Sequence, residues 1–191
     1  MTSTPQASPL DLLRSDLDTW NSLRAVHDSG IVDLVDIDLA GANLAGANLA
    51  GVDLTGADLS GADLTDATLA GAVLTSAEFL GAVLTRADLA GVLAHDANFT
   101  GAYLTRADLR DADLTMTYLT STFLGHATLA GADLSGAYMT GAYLGDADLT
   151  GATLIGTYLA KANLTGANLA GAVLDGADLT DVTLPDGTAP Y

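Results

Sequence analysis

The chain contains no cysteine, four prolines, one tryptophan and six basic side chains in 191 residues. Without cysteine there is no disulfide to staple the fold and no thiolate to hold a metal or act as a nucleophile. Aromatic residues make up 5% of the sequence, so the bulky rings of an ordinary globular core are scarce, and the 49% of hydrophobic residues is carried chiefly by alanine and leucine. A thin, uniform interior follows. The shortage of lysine and arginine against 24 acidic residues leaves a formal net charge of −18, which disfavours a nucleic-acid backbone or an anionic membrane and favours a basic partner. No stretch approaches the roughly 18 apolar residues of a membrane span. The opening MTSTPQASPLDLL has neither the basic start nor the apolar run of a secretory signal. A cytoplasmic location is the expectation.

What the chain has in abundance is repetition. In AGANLAGANLAGVDLTGADLSGADLTDATL a leucine recurs at every fifth position, and this register runs without insertion from Leu34 to Leu184, 31 units in all. Taking the leucine as position i, i−2 is nearly always Ala, i−1 commonly Asp or Asn, i+1 often Thr or Ala, and i+2 often Gly. A period of five fits neither a helical face nor an alternating strand, and so frequent a glycine would make a poor helix. If each unit forms one short side of a coil, the i and i−2 residues fill a narrow axis and the other three positions meet water.

This A-(D/N)-L-x-x pattern, held over about four-fifths of the chain, resembles the pentapeptide-repeat family. The resemblance implies an all-β solenoid, a right-handed quadrilateral β-helix with four units per coil. Thirty-one units then make about 7.75 coils and a rod about 37 Å long at the ~4.8 Å spacing of strands. Both ends of such a rod expose strand edges and call for covers. Residues 8–30 are predicted to supply a short N-terminal helical cap. Ser8-Pro9 starts it, Leu10, Leu13, Leu17 and Trp20 follow at helical spacing, a break falls near Asp18, and Gly30 suits the stop. The expected organisation is a flexible tail over 1–7, the cap over 8–30, the β-helix over 31–184 and a C-terminal tail over 185–191 that covers the last coil thinly.

With 20 residues per coil, residues 20 apart lie above one another. One i−1 column runs Asp38, Asp58, Glu78, Asn98, Tyr118, Tyr138, Tyr158, Asp178; its neighbour runs Asn43, Asp63, Val83, Tyr103, Phe123, Tyr143, Asn163, Thr183. Six of the nine Tyr and Phe residues fall in these two columns. The rings either stack on one another along the rod or form a hydrophobic binding or dimer patch. Arg86, Arg106 and His126 share a neighbouring i+2 column, where they neutralise nearby acids or meet an anion; Arg106 is also placed to stack on a ring. The candidate interaction patch is therefore Tyr103, Tyr118, Phe123, Tyr138, Tyr143, Tyr158, Arg86 and Arg106. The repeat falters at one place, where Ala94 takes the leucine position and Leu93 an outward one. Val92 or a turned-in Leu93 is expected to fill the gap.

No enzyme is indicated: His27, His95 and His126 lack metal-ligand spacing, no nucleophile motif occurs, and the calcium-binding nonapeptide is absent, so no metal or cofactor is expected. The expected role is a non-catalytic scaffold for protein–protein interaction through exposed solenoid faces. Homodimers through the C-terminal coil, which occur in the family, or through the aromatic face come under the same heading. The resemblance also implies an alternative, an acidic DNA mimic that binds DNA gyrase or another type II topoisomerase and confers resistance to topoisomerase inhibitors. Its physical basis is the 20 acidic against 4 basic side chains over residues 31–191. In either case the partner is a protein, with no direct nucleic acid and no membrane.

Overall fold

A computed structural model describes residues 9–26 and 34–186. The tail expected over 1–7, the stop at Gly30, His27 and residues 187–191 lie outside the described residues. From Asp38 onward each i−1 residue forms a parallel bridge with the residue 20 further along, ending with Asn163 to Thr183. Four pentapeptides thus close one four-sided coil, and the bridging residue is the whole of each side's strand.

Where i−1 is Asp or Asn, the five backbone N–H groups of a unit find five distinct acceptors. The i residue donates up the rod, as Leu39 N–H does to Asp58 O at 2.7 Å, and so does i+2, as Gly41 does to Ser60 O at 2.8 Å. The i−1 residue donates down it, as Asp58 does to Ile37 O at 2.9 Å. The following i−2 residue closes the corner, Ala42 N–H to Leu39 O at 3.0 Å. The remaining donor, i+1, has no ladder partner, and the i−1 side chain supplies one: Ala40 N–H donates to Asp38 Oδ1 at 3.0 Å, and Thr65 N–H to Asp63 Oδ1 at 2.9 Å. Asp and Asn recur at i−1 because a short side-chain oxygen two residues back can satisfy that group.

Every corner from residue 36 to 181 has φ between 53° and 72° at i+2, the third residue of a hydrogen-bonded four-residue turn, as type II geometry requires. Glycine takes this conformation without steric cost, yet Arg86, Arg106, Met116, His126 and Lys161 also adopt it.

Leucine at i and alanine at i−2 are buried along nearly the whole rod. Three buried threonines at i−2 are satisfied by main-chain carbonyls: Thr117 donates to Leu114 O at 2.7 Å, Thr122 to Phe99 O at 2.7 Å and Thr157 to Leu134 O at 2.9 Å. The irregularity at Ala94 is resolved differently from one of the two expected ways. Val92 is buried as expected, but Leu93 stays outward at 49% exposure. Its N–H bonds Ala72 O, and it bridges both Val73 and Asp113. Turning its side chain inward would shift the register by one residue and break that ladder. The carbon lost at Ala94 is instead regained at Val92 and at Phe99, the next residue of the leucine register, which stacks on Phe79 with centroids 4.7 Å apart.

The first coil is covered by α1 (Pro9–Ser15) and α2 (Leu17–Val26). The break lies at Asp16, two residues before the expected Asp18, because Asp16 caps α2: its Oδ1 accepts the Thr19 N–H at 3.1 Å, and the Thr19 hydroxyl, then this N–H, hold its carboxyl below the usual range. Leu13 and Trp20 are buried against the coil. Cap side chains also take the place of the missing coil below. Trp20 Nε1 donates to Asn48 O at 2.8 Å, Arg14 to Asp38 O and Arg24 to Ala50 O. At the other end the last ladder bonds are Leu164 N–H to Thr183 O and Gly166 N–H to Pro185 O. Among the described residues the N–H groups of Leu169, Gly171, Leu174 and Gly176 have no acceptor, and Leu169, Leu174, Leu179 and Leu184 are half-buried.

Candidate interaction face

Parallel bridges in strict 20-residue register place equivalent outward side chains about one strand spacing apart, which is the separation at which flat rings stack. Tyr118 and Tyr138 stack with centroids 5.0 Å apart, Tyr138 and Tyr158 at 4.9 Å, and on the adjacent side Tyr103 and Phe123 at 4.9 Å. Tyr138, held between two rings, is half-buried; Tyr103, Tyr118, Phe123, Tyr143 and Tyr158 are 42–47% exposed. Stacking and exposure therefore coexist: the ring faces cover one another and the edges point outward.

Tyr143 departs from its column. Its ring lies along Gly125 and Gly145, so near that a Cβ on Gly145 would stand 2.8 Å from the Tyr143 hydroxyl and one on Gly125 3.2 Å from the ring. Elsewhere the same i+1 column carries Thr65, Thr85, Thr105 and Thr165. The signal was present in the sequence, as two glycines at a position where they are otherwise rare.

The aromatic band forgoes part of the backbone accounting. Where Asn163 accepts the Thr165 N–H at 2.9 Å, no side chain accepts from Thr105, Thr120, Thr140 or Ala160, because the residue two back is Tyr. It is also free of acid. Between Met116 and Lys161 the two columns and the corner joining them hold no carboxylate, although the columns end in Glu78 and Asp58 on one side and Asp178 on the other.

Of the two candidate arginines, Arg86 is committed. Its Nε and Nη2 donate to the two Asp66 oxygens at 2.7 and 2.5 Å, lowering the Asp66 carboxyl and raising the guanidinium. Arg106, one coil further and beside Tyr103, has no ion pair, side-chain hydrogen bond or ring partner among the described residues. His126 Nδ1 lies 3.8 Å from Asp146 Oδ2. The structure thus stacks Tyr118, Tyr138 and Tyr158 on one side and Tyr103 with Phe123 on the next, sets Tyr143 apart over Gly125 and Gly145, and holds Arg86 in an ion pair. Among the described residues no group of three His, Cys, Asp or Glu could hold a metal ion, and no helix is long and apolar enough to cross a membrane.

HetL, a pentapeptide repeat protein involved in heterocyst differentiation regulation in the cyanobacterium Nostoc, is 29% identical over 88% of this chain and 98% of its own, with a TM-score of 0.47. A pentapeptide repeat protein of the Arabidopsis thaliana thylakoid lumen is 30% identical over 55% of this chain and 69% of its own, TM-score 0.48. Full-length QnrB1, a plasmid-mediated fluoroquinolone resistance protein, is 22% identical over 81% and 92%, TM-score 0.45. No curated protein sequence matches the chain. The profile of the pentapeptide repeats matches eight times in overlapping segments running from residue 33 to 184. This match spans well over half of the sequence, and the chain belongs to the pentapeptide repeat family, whose fold is the right-handed quadrilateral β-helix.

Proposed function

We propose that this protein is a non-catalytic scaffold that binds another protein through its aromatic band. The observation that supports it is the contrast between that band, with five exposed rings and no carboxylate, and a rod whose every side otherwise carries acids. Rings already ordered by stacking lose little conformational freedom on burial, so their edges are an inexpensive contact surface. The occupant is a protein partner or a second copy of the chain. The C-terminal coil, where the Leu174 and Gly176 N–H groups have no acceptor among the described residues and the leucines are half-buried, is a second route to self-association by strand addition. Sedimentation velocity distinguishes the routes. Tyr118→Ser with Tyr138→Ser weakens association through the band, whereas Leu179→Glu weakens association through the coil end. Unchanged self-association and unchanged partner capture in the tyrosine variant would reject the aromatic reading.

The second reading is the acidic mimic of DNA acting on a type II topoisomerase such as DNA gyrase. It is favoured by acids on all four sides of the rod, among them Asp113, Asp58, Asp63 and Asp148, which make a cylinder of negative charge. Titrating the protein into a gyrase supercoiling assay, with and without a fluoroquinolone and at two salt concentrations, tests it. Salt-sensitive inhibition or protection from drug-induced cleavage supports mimicry; absence of any effect leaves the scaffold.

A further inference from the structure

At the N-terminal edge of the tyrosine stack lies a groove of about 370 Å³ lined by Ser76, Glu78, Asp96, Asn98, Thr100 and Tyr118. Its shape follows from one column. Glu78, Asn98 and Tyr118 succeed one another at 20-residue steps, and Asn98, the shortest, is drawn away from the tyrosine: its Nδ2 donates to Glu78 Oε2 at 2.7 Å and its Oδ1 accepts the Thr100 N–H at 3.0 Å. Tyr138 covers one face of Tyr118; the other face looks into the notch that Asn98 leaves. Glu78 and Asp96 stand on the rim, both exposed and neither in an ion pair among the described residues; Asp96 Oδ2 accepts from the Ser76 hydroxyl at 3.5 Å.

An aromatic face with two carboxylates beside it, neither ion-paired among the described residues, and a net charge of −18 on the chain is complementary to a flat cation. We propose that this groove receives an arginine side chain from a basic segment of a protein partner. The guanidinium lies on the free face of Tyr118 and donates to Glu78 and Asp96, while Thr100 and Ser76 bound the space at its sides. A planar fork suits both the ring and two separated carboxylates better than the compact ammonium of lysine. The inference rests on the aromatic band as a binding surface and names the chemistry of the partner at its edge.

The test is binding of the acetylated, amidated peptide Ala-Arg-Ala-Arg-Ala to the full chain, followed by NMR at Asn98 and Tyr118, with the lysine peptide in parallel. Glu78→Gln with Asp96→Asn keeps the Asn98 bond and suits the left-handed corner at Asp96; it is expected to weaken arginine-peptide binding about tenfold. Asp133→Asn with Asp148→Asn removes the same charge from other sides of the rod and is expected to change it less than about twofold. Equal loss in both pairs would mean diffuse attraction to an acidic rod, and lysine binding as tightly as arginine, or no shift at Asn98 and Tyr118, would equally overturn the proposal. Tyr138→Ser with Tyr158→Ser leaves the notch intact. Peptide binding retained there while self-association falls separates failure of the groove from failure of the band.

Discussion

Asn21 of the cap and Asn48 of the first coil are joined as two strands would be: the Asn48 N–H donates to Asn21 Oδ1 at 2.8 Å, and Asn21 Nδ2 donates to Gly46 O at 3.0 Å. A carboxamide has one donor and one acceptor in the arrangement of a peptide group, so Asn21 imitates a piece of the coil that is missing below. Asn21→Ala is expected to lower stability by about 1–3 kcal/mol, since it leaves part-buried groups unpaired. Asn21→Asp, which keeps the acceptor and removes the donor, should fall between. Thermal melts of the three proteins check the order; an alanine variant as stable as the parent would show that the cap holds by Leu13 and Trp20 alone.

The corner at Arg106 runs against local preference on two counts. It has φ of 61° without being glycine, and it sits between Arg86 and His126 with no partner among the described residues. Arg106→Gly should therefore raise stability by about 0.5–1 kcal/mol, and Gly46→Ala, at φ of 70° in open space, should lower it by about 1–2 kcal/mol. Arg86→Gly should gain less, because it also removes the pair with Asp66. A stability drop in Arg106→Gly would mean that the side chain has an intramolecular role.

The repeat, its register and the inward positions were legible because one rule recurs over 31 units with few departures, so that period and composition together specify the coil. The aromatic columns were legible for the same reason. Three features were not. The job of Asp and Asn at i−1 depends on which N–H the ladder leaves over, which needs the paired coils. Tyr143 leaves its stack because Gly125 and Gly145 open a bed for it, a relation between residues 18 and 2 apart that a column-by-column reading separates. The groove at Tyr118 arises from the direction in which Asn98 leans, and a side chain's hydrogen-bond choice is not written in the spacing.

Ala94 and Phe99 are expected to behave as a pair. Both point into one coil, so Ala94→Leu alone overpacks it and should cost about 1–3 kcal/mol. Phe99→Leu alone leaves a void beside Ala94 and ends the stack on Phe79. The double change restores the leucine pattern of most other coils and should be more stable than either single variant. Denaturant midpoints of the four proteins give the coupling; strict additivity would show that the two sites do not share a space.

The outward aspartates make the rod sensitive to acid in a defined window. Asp58, Asp63, Asp148 and Asp178 are held below the usual carboxyl range, first by the side-chain hydroxyl two residues on and then by that residue's N–H. A lowered folded value means that the unfolded chain takes up protons first. This contribution is complete above an unfolded value of about 3.9 and disappears as pH falls through the lower folded values. Stability should thus hold from pH 7 to about 5 and decline below about 4. Asn at these four positions retains an oxygen for the N–H and cannot titrate, so the combined Asp→Asn variant should show a shallower decline. An acid limb of unchanged steepness would place the sensitivity elsewhere, in carboxylates that do not bond their own backbone.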